Sequence, residues 1–68
     1  MCTYKYRIDH YPTYGGFFVM VDKWQGAFHL DMDIADGPFK EHVDAEKRRG
    51  EFVSWQKRRG FHAVCTGD

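Results

Sequence analysis

Apolar and polar side chains alternate from Cys2 to Tyr11. Cys2, Tyr4, Tyr6, Ile8 and His10 share one side of an extended chain, and Thr3, Lys5, Arg7 and Asp9 share the other. A period of two marks a half-buried strand. Pro12 to Gly16 interrupts the pattern as a loop, where Gly15-Gly16 is free to take positive φ. Phe17 to Trp24 is apolar on both sides, with Phe17, Val19 and Val21 pointing one way and Phe18, Met20 and Trp24 the other. A two-sided apolar strand belongs inside a sheet. After a turn at Gln25-Gly26, Ala27 to Ile34 alternates again, which predicts Phe28, Leu30, Met32 and Ile34 inward and His29, Asp31 and Asp33 outward. The three runs read as an antiparallel meander.

Asp36-Gly37-Pro38 reads as a helix start, with Asp36 as the cap and Pro38 in the first turn. The predicted helix runs from about Phe39 to Gly60, which stops it after a basic last turn. Phe61 to Thr66 follows as a short strand, and Thr66 to Asp68 as a tail. On one continuous helix, Phe39, Val43, Gly50 and Val53 share a face, while Phe52 and Trp55 fall roughly opposite. Either Gly50 breaks the helix and the second half turns its aromatics inward, or Phe52 and Trp55 stand exposed as a partner surface.

The expected fold class is α+β: one β-β-β-α-β domain spanning residues 1–68. Its antiparallel meander gains a fourth strand beside and parallel to the first, giving the spatial order 3-2-1-4. One helix, intact or broken at Gly50, covers one face. The expected core is Tyr6, Ile8, Val19, Val21, Phe28, Leu30, Met32, Phe39, Val43 and Val53. This element order resembles the truncated ribonuclease-H-like fold of HicB-type antitoxins. Val21-Asp22-Lys23-Trp24 stands where that family's Pro-Asp-Leu-Pro-Gly-Cys pattern would begin, so the resemblance implies a fold and no function.

Sixty-eight residues make one domain with a thin core and no room for a deep catalytic cleft. High aromatic usage, 18%, is one way so short a chain stays folded. Ten basic residues balance ten acidic ones, which argues against a general polyanion binder. The balance is uneven: the first 37 residues carry a net charge of −2 and the rest +2. Cys2 and Cys65 are expected to be free thiols in a reducing cytoplasm, each acting as a small buried hydrophobe. No apolar run approaches the ~20 residues of a membrane span.

Catalytic sets are incomplete. A ribonuclease-H-like nuclease needs converging carboxylates; Asp9 and Glu46 suit two places, but the last strand has none. His29, Asp31 and Asp33 have metal-ligand chemistry, yet residues two apart on a strand stand roughly 6.5–7 Å apart. His62 and Cys65 should diverge to opposite faces, leaving no expected metal or cofactor. The chain is therefore read as not an enzyme.

The most unusual feature is a doubled Lys-Arg-Arg-Gly, at Lys47 to Gly50 and Lys57 to Gly60, enclosing Phe52 and Trp55. Arginine suits bidentate recognition of carboxylate or phosphate, and exposed rings suit stacking. The expected partner-binding residues are Lys47, Arg48, Arg49, Phe52, Trp55, Lys57, Arg58 and Arg59. The expected function is a non-catalytic interaction module, a small regulator or inhibitor whose partner is a protein. Its size and style are those of antitoxins and of phage-encoded inhibitors of host machinery such as CRISPR defence. The alternative is a nucleic-acid binder that uses Lys47 to Arg59.

Overall fold

The computed structural model describes residues 2–66. Strand β1 (Cys2–Tyr11) leads through a 3-10 turn (Pro12–Tyr14) into β2 (Gly16–Gln25) and β3 (Phe28–Phe39). Helix α1 (His42–Arg58) then crosses over to β4 (His62–Cys65). The four strands form one sheet in the order β3-β2-β1-β4. β1 runs antiparallel to β2, with Ile8 opposite Val19, and parallel to β4, with Tyr4 opposite Ala63. The predicted strands, their order and the parallel closing pair are all present. The predicted tail beyond Thr66 lies outside the described residues.

Tyr6, Val19, Ala45, Val53 and Ala63 form the buried core, with Tyr4, Ile8, Phe17, Val21, Ala35, Phe39 and Phe52 packed around it. Helix α1 therefore covers the sheet face bearing the even-numbered residues of β1 and the odd-numbered residues of β2. The other face carries Lys5, Arg7 and Asp9 from β1, and Phe18, Met20, Asp22 and Trp24 from β2, and no helix covers it.

The expected helix start and its expected cap both fail at the β3–α1 junction. The helix starts at His42 rather than near Phe39, because β3 continues through Asp36-Gly37-Pro38 and pairs Asp36 with Val19 and Phe39 with Phe17. Asp36 is consequently no helix cap. Its carboxylate accepts the Gly37 N–H at 2.8 Å and the Arg48 Nε–H at 2.8 Å, tying β3 to the helix. The Arg48 bond, then the Gly37 N–H, holds the Asp36 carboxyl below its ordinary range. The N-cap is Glu41, without a side-chain cap bond.

Gly50 does not break the helix, which runs unbroken through it. The buried side of α1 is Ala45, Val53 and Gln56, flanked by half-buried Arg49 and Phe52. Val43, expected in the core, is 67% exposed. The helix is rotated from the predicted face because Gln56 is drawn inward: its Nε2 donates to the Tyr6 hydroxyl at 3.0 Å. At the far end Gly60, at φ +85°, closes a Schellman motif. Its N–H donates to the Lys57 carbonyl at 3.0 Å, and the Phe61 N–H to the Gln56 carbonyl at 3.0 Å. A Cβ at Gly50 would meet nothing within 4 Å. Gly50→Ala should therefore stabilise the domain by about 1 kcal/mol through helix propensity alone, read as a raised thermal midpoint.

The largest departure is in β3. Phe28 is 77% exposed, Leu30 49%, Met32 51% and Ile34 56%, although all but Ile34 were expected in the core and all four inward. Met32 and Ile34 oppose Asp22 and Met20 on the sheet face that no helix covers, and β3, an edge strand, has a neighbour on one side only. A register shift between Lys23 and Trp24 also breaks the alternation, since Asp31 opposes Lys23 but His29 opposes Trp24.

Candidate functional site

The outward side of α1 forms a shallow groove of about 850 Å³ lined by Lys47, Arg48, Glu51, Phe52, Trp55 and Arg58. A helix crossover puts this side opposite the sheet, so its side chains are left to solvent. The eight residues expected to bind a partner divide here. Arg49 turns toward the sheet and its Nη1 donates to the Thr66 carbonyl at 3.4 Å. Phe52 is half-buried and stacks on Tyr6, with ring centres 5.5 Å apart and planes 4° from parallel. Those two residues serve the fold first.

Arg48 is largely neutralised. It bonds Asp36 at 2.8 Å, lies 3.5 Å from Glu51 and rests its guanidinium 4.4 Å from the centre of the Phe52 ring. The Asp36 bond raises its pKa further above an already high value. By contrast Lys47, Lys57, Arg58 and Arg59 have no carboxylate within ion-pair distance among the described residues. Trp55 is 45% exposed, and Arg59 lies 4.4 Å over its ring and 5.2 Å from the ring of Phe61. Two aromatic neighbours hold the Arg59 fork in place while its donors stay unclaimed, which suits a planar anionic group. Phe61 is a member of this surface that sequence reasoning assigned to the last strand. The signal was present in Gly60, since a Schellman motif folds the residue after the glycine back onto the helix end.

Elsewhere the polar residues serve structure. On the bare sheet face, buried Asp22 accepts from Arg7 Nε at 2.9 Å and bonds His29 Nε2 at 3.0 Å, and Arg7 also bonds Asp9. Hydrogen bonding to Asp22 is the main reason the Arg7 pKa is raised. His29 thereby leaves the row it was expected to share with Asp31 and Asp33, which oppose Lys23 and Val21 across the register shift. Asp9 is on the bare face and Glu46 on the helix, bonded to His42, so the two carboxylates lie on opposite sides of the sheet. Cys65 is exposed rather than buried, and both thiols are free. Their positions do not oppose each other: Cys65 lies beside Tyr6, and Cys2 opposite Gln25.

Among the described residues, no helix is long and apolar enough to cross a membrane. No family model, curated protein or solved structure matches the chain.

Proposed function

We propose that the chain is a non-catalytic interaction module, a small regulator or inhibitor that binds another macromolecule through the outward side of α1. The observation that carries this reading is a set of cations without acidic partners beside exposed Trp55: Lys47 and Arg58 line its groove and Arg59 lies over its ring. Arginine and tryptophan dominate interface hot spots, often at about 2 kcal/mol or more each. An acidic protein surface is the favoured partner. Glu46 and Glu51 share the helix with the cations, and this mixed pattern suits a specific protein surface better than a uniform polyanion. The reading includes a cytoplasmic setting, supported by two free thiols that are not opposed.

The test replaces Arg58 and Arg59 together by glutamate, and separately Trp55 by alanine. All three side chains face outward, so each variant should lose no more than about 1 kcal/mol of stability while partner capture from the host falls by about tenfold or more. A single-stranded oligonucleotide bound with steep salt dependence would instead favour the nucleic-acid alternative. Capture at wild-type strength by both variants would place the working surface elsewhere.

A further inference from the structure

The longest strand of the sheet is also one of its two edges. β3 pairs only with β2, so alternate backbone groups of β3 point away from the sheet, where another chain could extend the ladder. Two of those outward amides are occupied from within the strand. The Asp31 carboxylate accepts the Met32 N–H at 2.8 Å, and the Asp33 carboxylate accepts the Ile34 N–H at 2.8 Å. The side chains divide by face. Asp31 and Asp33 oppose Lys23 and Val21 on the helix side, whereas Met32 and Ile34 oppose Asp22 and Met20 on the bare side. All four are exposed. The edge thus offers an acidic row on one side, an apolar row on the other, and backbone amides held by the acids between them.

We propose that the β3 edge is a docking site for an extended segment of a partner protein in which lysine or arginine alternates with apolar residues. The cationic side chains of such a strand take Asp31 and Asp33 into ion pairs. That exchange frees the Met32 and Ile34 amides to bond the incoming backbone. The partner's apolar residues then cover Met32 and Ile34 on the bare face. Charge decides the occupant. A second copy of this chain would bring Asp31 and Asp33 against their own counterparts on one face, and like charges across a strand pair are destabilising. A neutral strand would displace the carboxylates from the amides and return no bond to them. This edge lies apart from the outward side of α1, so the inference does not depend on the reading given for the helix.

The test uses a labelled peptide alternating lysine with valine, and matched peptides with glutamate or threonine in place of lysine, followed by fluorescence anisotropy. The lysine peptide should bind saturably, and the other two about tenfold or more weakly. Asp31→Asn with Asp33→Asn keeps an oxygen for each amide but removes the charge, and should weaken the lysine peptide by about tenfold or more. Arg58→Glu with Arg59→Glu should leave it unchanged, which separates this site from the helix. Amide NMR shifts on adding the peptide should centre on Met32 and Ile34. Absence of saturable binding, equal binding by the double asparagine variant, or shifts centred on α1 would each overturn the proposal.

Discussion

Gly16→Ala should abolish the cooperative thermal transition of this protein. Gly16 opens β2 at φ +137°, and a Cβ there would sit 2.3 Å from the Phe39 carbonyl oxygen and 3.2 Å from its carbon. Both are backbone atoms of the pairing strand, so no side-chain rotation relieves the clash. Two penalties combine: about 1–3 kcal/mol for the strained backbone conformation and about 1–3 kcal/mol for the forced separation of β2 from β3. A domain of this length has only about 3–10 kcal/mol of total stability. Circular dichroism should show a broad, early or absent melt. A melt within a few degrees of the wild type would mean that the end of β3 stands away from Gly16. The contrast with Gly50→Ala is instructive, because the same added methyl group is expected to stabilise the helix and to break the sheet.

Tyr6→Ala should also leave the chain largely unfolded, whereas Leu30→Ala should melt almost as the wild type does. Tyr6 is buried at the centre of the cluster, stacked on Phe52 and bonded to Gln56. Truncating a buried aromatic costs about 3–5 kcal/mol. The loss also strands the Gln56 amide, whose Oε1 already lacks a partner. Tyr6→Phe isolates that bond and should cost about 1–3 kcal/mol. Leu30 lies on the exposed edge strand and removes little buried surface when shortened, so its cost should stay near 0.5 kcal/mol, roughly that of a surface change. Chemical denaturation of the three variants reads these differences directly. A Leu30→Ala variant that unfolds with Tyr6→Ala would show that β3 is covered in solution.

The Leu30 expectation shows where reading along the chain stops. Phe28, Leu30, Met32 and Ile34 alternate as regularly as any run in the sequence, and regular alternation normally marks a buried face. Alternation reports that two sides differ; it does not report whether anything lies over the apolar one. One helix covers only one face of the sheet, and Met32 and Ile34 lie on the other face, while Ala35 and Phe39 of the same strand pack on the core. The helix start failed for a related reason. Asp36-Gly37-Pro38 has the chemistry of a cap, but pairing with β2 captures the segment as strand before a helix can begin, and Asp36 turns to Arg48 instead.

The candidate site was partly legible. The doubled Lys-Arg-Arg around Phe52 and Trp55 marked the element whose outward side carries the groove, and Gly60 marked its end. Which cations are available was not legible, since that depends on contacts distant in sequence: Asp36 neutralises Arg48 across 12 positions, and Thr66 draws Arg49 inward across 17.

What the sequence alone determined was the local and the topological: three strands by their period of two, a helix ended by Gly60, and a fourth strand placed beside the first because the two-sided apolar β2 had to be interior. These follow from side-chain spacing, from chain reach and from the long connection that a parallel pair of strands requires. Only the tertiary structure decided the rotation of α1, set by the Gln56–Tyr6 bond, the exposure of β3, and the division of the basic residues into neutralised and available. Each of those depends on which surfaces meet, and a one-dimensional pattern of polarity names the surfaces without naming their partners.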